Sequence, residues 1–157
     1  LNTLSSLETQ ENPTVLFYNP NIHPRAEFLE RLNAVKIVLM DYPNIKLVIP
    51  DYRPSEYFES IKKEEKRCTG CWKQRLRYLF KYAKEHEFDS VTSTLINSSY
   101  QNKDEILKIA SDLEKEFSIS FIQPKEYKQE VHKGFYKQNF CGCCYSLTER
   151  MNEKYIK

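Results

Sequence analysis

Five cysteines fall into two tight groups along the chain, Cys68 with Cys71 and Cys141 with Cys143 and Cys144. The C-x-x-C spacing of the first pair lets two thiolates reach one metal atom or cluster, and the C-G-C segment offers a second pair. Soft thiolate ligands suit zinc and iron–sulfur clusters, and four of them satisfy either a tetrahedral zinc ion or a cubane. The spacing alone leaves both kinds of metal centre open.

The number and grouping of the cysteines argue against a disulfide framework. Such frameworks usually spread an even number of cysteines through small secreted chains, whereas clustered cysteines are typical of metal binding or redox chemistry. A closed structural zinc site is the alternative, but a chain with 40% hydrophobic residues can fold without a metal. The second cysteine group, in a polar loop that contains glycine, therefore favours a functional centre.

Length and charge restrict the class of protein further. We expect a single domain, residues 1–157, which is long enough to bury a core. The 24 basic and 22 acidic residues give a net charge of +2, so any nucleic-acid binding needs a local basic patch. The sequence shows no signal peptide and no apolar run of about 18 residues. We therefore expect a soluble, cytoplasmic protein that has no membrane partner.

Apolar runs and helical periodicity alternate along the chain. The apolar runs predict strands at residues 14–18, 46–49, 90–95 and 119–122. Apolar residues at helical spacing predict helices at about 26–40, 72–83 and 106–117. A loop with one or two helical turns is expected before the first cysteine pair, and residues 134–146 are predicted to be an irregular, cysteine-bearing loop. This order predicts an α/β fold with a mainly parallel sheet flanked by helices.

Two polar segments follow predicted strands. The segment N-P-N-I-H comes directly after Tyr18, and N-S-S-Y-Q-N comes directly after Ile96. In open parallel sheets, ligands gather beyond the carboxyl ends of the strands. We therefore expect the two polar segments to line one shared site.

Four basic residues recur at helical spacing after the first cysteine pair, namely Lys73, Arg77, Lys81 and Lys84. They form a basic ridge beside the apolar stripe of the same predicted helix. Such a ridge could neutralise nucleic-acid phosphates, and binding would then weaken with added salt. A solvated helix face is the commoner explanation of a charge run, so both interpretations stay open.

Three stretches of the sequence resemble one known family. They are FYNPNIHPRAEF, RCTGCWKQRLRYLFKYAKEHEFDSVTSTLINSSYQN and GFYKQNFCGC, and together they resemble the epoxyqueuosine reductase family QueH, from about Val15 to Ser146. The resemblance implies an α/β domain related to the HUP and adenine-nucleotide hydrolase-like folds. It also implies a four-iron four-sulfur cluster, with a further metal ion nearby. Members of the family remove the epoxide oxygen from epoxyqueuosine at the wobble position of tRNA.

The resemblance also implies which cysteines bind the cluster. The family's C-x-x-C falls on Cys68 and Cys71, and its C-G-C falls on Cys141 and Cys143. Cys144 stands where the family pattern has no cysteine, so it is not expected to be a ligand.

One departure from the family pattern lies near the start of the sequence. Family members begin with a strand that leads into an adjacent cysteine pair, with another cysteine or an aspartate soon after. The first 14 residues contain neither cysteine nor aspartate. We expect this N-terminal strand and its motif, with any ligands they carry, to be missing from the sequence.

Opening an epoxide to an alkene needs two electrons and two protons, and the oxygen leaves as water. A Lewis-acidic iron could bind the epoxide oxygen while the cluster relays electrons from an unidentified donor. We hypothesise that the thiolates hold this redox centre. In this hypothesis Tyr18, Asn19, Tyr100 or Tyr136 positions the base or donates a proton. For each of these four residues, a purely structural role in satisfying loop backbone groups is the alternative.

Two other functions compete with the reductase interpretation. A zinc-stabilised RNA-binding module without catalysis would also explain the cysteines, and it predicts a colourless protein that contains zinc. An ATP-dependent tRNA thiolation enzyme would use a related α/β fold. Such enzymes usually carry a glycine-rich phosphate loop after the first strand, and this chain has only three glycines. ATP cleavage is therefore not expected.

Overall fold

The computed structural model describes residues 12–123 and 139–155. The chain divides into two compact units, one from Leu1–Ile49 and Tyr127–Lys157 and the other from Pro50–Glu126. The first cysteine pair belongs to the second unit, and the C-G-C segment belongs to the first. The single domain expected from the sequence stays a prediction.

In the first unit, two short parallel strands are joined by one helix. Strand β1 (Thr14–Leu16) pairs with β2 (Lys46–Val48), and Val15 lies opposite Leu47. Helix α1 (Arg25–Leu39) connects them and buries Phe28 and Leu32. The predicted helix is confirmed within one residue at each end, and both predicted strands are confirmed at shorter length.

The first unit also contains the last described helix, α5 (Cys144–Tyr155). The predicted irregular loop therefore ends at Cys143, because Cys144 to Ser146 are already helical. Residues 134–138 of that predicted loop lie outside the described residues.

In the second unit, two long helices pack around a core beside another parallel strand pair. Its elements are α2 (Pro54–Ile61), α3 (Arg67–Glu85), β3 (Ser90–Val91), a 3-10 helix (Thr94–Asn97), α4 (Lys103–Phe117) and β4 (Ser120–Phe121). The core joins the apolar faces of the two long helices through Trp72, Leu76, Phe80, Ala83, Ile106, Ile109, Ala110 and Leu113. The periodicity of the sequence had placed these residues on buried faces, and that prediction is confirmed.

The predicted strand at residues 90–95 is wrong beyond Val91. Strand β3 covers only Ser90 and Val91, and a 3-10 helix begins at Thr94. The hydroxyl of Ser93 accepts a hydrogen bond from the Leu95 backbone N–H at 3.3 Å. A serine hydroxyl can bond to a nearby backbone N–H, and this local bond competes with strand pairing. The strand therefore ends before the β-branched run does.

The α/β class and the parallel pairing of strands are confirmed. Among the described residues, however, the strands pair only two by two, β1 with β2 and β3 with β4. The four predicted strands therefore do not form one continuous sheet within these residues. No helix in the described part of the chain is both long and apolar enough to cross a membrane.

Candidate metal centre

The first cysteine pair lies within the first five residues of α3, which begins at Arg67, and not in a turn that precedes the helix. Cys68 is exposed and Cys71 is partly buried. Residues three apart in a helix are surface neighbours, so both thiol groups project from one face. The positive end of the helix dipole lies at this first turn and stabilises negative charge on cysteine sulfur.

Gly70 allows α2 to approach the cysteine-bearing turn. A Cβ atom at this position would lie 2.6 Å from the Ser60 carbonyl oxygen and 2.9 Å from the Ile61 Cα. No side chain fits there, because these are backbone atoms at the end of α2. Glycine is therefore required for the close approach of the two helices.

Two side-chain hydrogen bonds attach the polar segment N-S-S-Y-Q-N and α4 to the same turn of α3. The Trp72 indole N–H donates to Oε1 of Gln101 at 2.6 Å. The Thr69 hydroxyl donates to a carboxylate oxygen of Glu105. Tyr100, a predicted proton donor, is next to Gln101 and has an exposed side chain. This polar segment is thus held beside the C-x-x-C turn.

The second cysteine pair lies directly before α5. The sulfur atoms of Cys141 and Cys143 are 3.6 Å apart, and Cys143 is buried. Cys143 occupies the N-cap position of α5, because its carbonyl accepts from Leu147 N–H at 3.0 Å. Its sulfur accepts a hydrogen bond from the Ser146 N–H at 3.3 Å, and the Ser146 hydroxyl accepts one from the Cys141 N–H at 3.3 Å. The bond from Ser146 N–H to the Cys143 sulfur matches the N-cap half of a capping box, with sulfur in place of the usual oxygen.

The polar segment N-P-N-I-H packs against the C-G-C segment. The His23 backbone N–H donates to the Gly142 carbonyl at 2.8 Å. Burial lowers the pKa of the His23 imidazole from its ordinary value, and a hydrogen bond with the Pro20 backbone acts in the opposite direction. Each cysteine pair is therefore accompanied by one polar segment in its own unit. The expectation that the two polar segments share one site stays a prediction.

The spacing of the Cys141 and Cys143 sulfur atoms suits a shared metal atom. Two thiolates bound about 2.3 Å from one tetrahedral metal would have sulfur atoms about 3.8 Å apart. The 3.6 Å between the Cys141 and Cys143 sulfur atoms is close to that value. Among the described residues, no group of three or more His, Cys, Asp or Glu side chains is assembled around one point. The Cys141 and Cys143 thiolates therefore fit two ligand positions of one soft metal atom.

The other predicted site residues have different environments. Tyr18 is buried, and the Asn19 carbonyl accepts a hydrogen bond from Ile22 N–H at 3.3 Å, which closes a tight turn. Tyr136 lies outside the described residues. This hydrogen bond gives Asn19 a role in shaping the turn after β1.

The basic ridge is exposed along α3, and most of it is ion-paired. Lys73 pairs with Glu64 at 2.6 Å, Arg77 pairs with Glu116, and Lys81 approaches Glu85 at 3.6 Å. The fourth member, Lys84, is exposed near the end of the helix. Ion pairs between exposed side chains contribute about 0 to 1 kcal/mol, so a phosphate could displace the glutamates.

Reasoning from the sequence missed two residues that hold the C-G-C segment, Arg31 and Ser146. Ser146 stands three residues after Cys143, where a capping box has Glu or Gln, so the usual pattern does not identify it. Arg31 follows Glu27 at the i, i+4 spacing of a helical ion pair, which it forms at 2.7 Å. Its hydrogen bond to the Cys141 carbonyl, at 3.2 Å, spans 110 positions of the sequence and has no local signal.

Comparison with known proteins adds to this geometry. The family model of epoxyqueuosine reductase QueH matches residues 1–149. A QueH protein of Dehalococcoides mccartyi is 31% identical, over 89% of this chain and 81% of its own length. QueH proteins of Staphylococcus epidermidis and Thermotoga maritima are 27% and 28% identical, over 94% and 85% of this chain and 71% and 79% of their own lengths. The chain belongs to the epoxyqueuosine reductase QueH family.

Proposed function

We propose that this protein removes the epoxide oxygen of epoxyqueuosine in tRNA to give queuosine, and that it does so in the cytoplasm. Family membership carries the proposal, since the family model matches residues 1–149 and the similar relatives are named for this reaction. One polar segment lies beside each cysteine pair. This arrangement supports the proposal, because a reductase needs polar groups beside its redox centre.

The redox centre in this proposal is a four-iron four-sulfur cluster bound by Cys68, Cys71, Cys141 and Cys143. When bound, such a cluster with a further metal ion supplies one-electron transfer and a Lewis acid for the epoxide oxygen. The soft thiolate chemistry of the four cysteines supports this assignment. Electrons come from a donor protein or small molecule that is still to be identified.

The residues of the chain itself hold the substrate and deliver protons. Tyr100 is the proton donor that the geometry favours, because its side chain is exposed and its neighbour Gln101 is anchored to Trp72 of the cysteine-bearing helix. Tyr18 is buried, so it and Asn19 shape the N-P-N-I-H segment that packs on the C-G-C segment. Tyr136 remains a candidate proton donor.

The fold in this proposal is one α/β domain that is related to the HUP and adenine-nucleotide hydrolase-like folds. The parallel strand pairs, each with a helix between its two strands, support this relationship. The two cysteine pairs then supply four thiolates to one centre.

The basic ridge on α3 is the proposed tRNA contact. Replacing Arg77 and Lys81 together by Glu should weaken tRNA binding and reduce the dependence of affinity on salt, because two phosphate contacts are lost. The matched control is Lys36→Glu with Lys46→Glu, which changes the charge equally at two exposed positions of the other unit. If the two double variants bind tRNA equally well, the ridge is not part of the interface.

The proposal is tested by anaerobic purification followed by iron, sulfide and zinc analysis and by mass spectrometry of the nucleosides of treated tRNA. We expect a brown protein that contains iron and sulfide and converts epoxyqueuosine. Cys68→Ala and Cys141→Ala should each lose the chromophore and the conversion, whereas Cys144→Ala should keep both. Full activity of Cys68→Ala or Cys141→Ala would refute the ligand assignment. A colourless protein with stoichiometric zinc and no conversion would support the RNA-binding alternative.

A further inference from the structure

Arg31 contacts the C-G-C segment on several sides at once. Its Nη1 donates to the Cys141 carbonyl at 3.2 Å, and its Cζ lies 5.3 Å from the centre of the Phe140 ring. The side chain is only 16% exposed, and its Nε is held by Glu27 at 2.7 Å. The guanidinium is thus fixed by α1 on one side and by the cysteine-bearing backbone on the other.

The backbone of Gly142 packs closely against the same guanidinium group of Arg31. Gly142 has a φ of +114°, and a Cβ atom there would lie 2.9 Å from Nη1 of Arg31 and 3.1 Å from its Cζ. Only glycine combines this backbone conformation with so close a contact. The Gly142 carbonyl also accepts from the His23 N–H at 2.8 Å, so the segment is attached to the residues flanking α1 as well as to α1.

The partly buried Arg31–Glu27 pair gives this contact its rigidity. A guanidinium can donate to two acceptors at a fixed angle, whereas a lysine ammonium reaches one point at a time. Hydrogen bonds from a charged donor are also stronger than those between neutral groups. Arg31 can therefore hold Glu27 and the Cys141 carbonyl together, which a lysine at this position could not do.

We infer that Arg31 is a positioning residue that fixes the C-G-C segment so that Cys141 and Cys143 present their sulfur atoms together to a metal. Its link to the metal rests on the proposed function, but the docking of the segment does not. Arg31 acts through backbone and aromatic contacts, and its own side chain is not a ligand.

Amide hydrogen exchange of the metal-free full chain tests the docking itself. In Arg31→Lys, the amides of His23, Ser146 and Leu147 should exchange about tenfold faster, because one charge-assisted hydrogen bond is lost. Arg31→Gln should give the same result, and Lys36→Gln, an exposed change on the same helix, should match wild type. Peptides of α3 act as an internal reference and should be unaffected. Unchanged exchange in a folded Arg31→Lys protein would overturn the inference.

Iron and sulfide content after anaerobic reconstitution tests the link to the metal. We expect Arg31→Lys to bind less than half the iron of wild type and of Lys36→Gln. A variant with accelerated exchange and full iron content would overturn the positioning role. If wild-type protein itself binds no iron, the proposed cluster is wrong, and the exchange measurement alone then decides whether Arg31 docks the segment.

Discussion

The backbone N–H of Ser146 donates a hydrogen bond to the sulfur atom of Cys143, and the two atoms are 3.3 Å apart. Cys143 therefore has two roles, as a candidate metal ligand and as the residue that caps α5. The Ser146 hydroxyl accepts from the Cys141 N–H, so the same short motif also holds the second candidate ligand. The proposed metal binding and the start of this helix would therefore depend on the same side chain.

The two roles of Cys143 can be separated by substitution. Serine can accept the same capping hydrogen bond, so Cys143→Ser should keep a free energy of unfolding within about 1 kcal/mol of wild type. Its iron content should fall sharply, because a hard oxygen replaces a soft thiolate. Cys143→Ala should lose the iron and also be about 1 kcal/mol less stable than the serine variant.

Urea unfolding and iron analysis measure these two effects, with Cys144→Ser as the control. The control should keep its iron, because Cys144 is not an assigned ligand. Equal stability of the serine and alanine variants would show that the cap is unimportant. Retention of iron in Cys143→Ser would remove Cys143 from the ligand set.

Gly70 should be intolerant of alanine although it lies in a helix. Alanine has the higher helix propensity by about 1 kcal/mol, but the added Cβ would lie 2.6 Å from the Ser60 carbonyl oxygen. We expect the steric clash of the added Cβ to outweigh the gain in helix propensity. Gly70→Ala should therefore lower the free energy of unfolding by about 1 to 3 kcal/mol. Urea unfolding measures the change, and Ser111→Ala on the exposed face of α4 is the control. A Gly70→Ala protein more stable than wild type would show that α2 can move away.

The long helices could be predicted from the sequence because their apolar residues recur on one face. Leu76 and Phe80 on α3 and Ile106 and Leu113 on α4 pack into one core, as the periodicity requires. The strands were predicted too long. An apolar, β-branched run does not show where a serine side chain bonds to the backbone and ends the strand. Ser93 does so by accepting from the Leu95 N–H.

The cysteine motifs could be predicted, but not their surroundings. Gly70 lies within α3 and faces the end of α2, a contact that the C-x-x-C spacing does not reveal. The contact of Arg31 with the Cys141 carbonyl could not be predicted, because it joins residues 110 positions apart and no local pattern records such a contact. Local spacing thus identifies possible ligands, and tertiary packing identifies what holds them.

The hydrogen bond between Trp72 and Gln101 should couple the cysteine-bearing helix to the N-S-S-Y-Q-N segment. Trp72 is buried, and its indole N–H donates to Gln101 at 2.6 Å. In a double-mutant cycle with Trp72→Phe and Gln101→Ala, we expect a coupling free energy of about 1 kcal/mol. Urea unfolding of the four proteins gives this value, and a cycle of Trp72→Phe with the distant, exposed Lys115→Ala should give none. Additive effects of the first pair would show that the bond does not hold the segment.

Burial of His23 should make stability depend on pH. Since burial lowers the pKa of the folded imidazole from 6.5, the unfolded chain takes up a proton first as the pH falls. The free energy of unfolding should therefore decrease from about pH 6.5 down to the lowered pKa, and this loss should stop below it. In His23→Gln the loss within that window should be smaller than in wild type. Urea unfolding across this pH range measures the difference, and equal pH dependence in wild type and His23→Gln would mean that the imidazole is protonated as readily in the folded protein as in the unfolded chain.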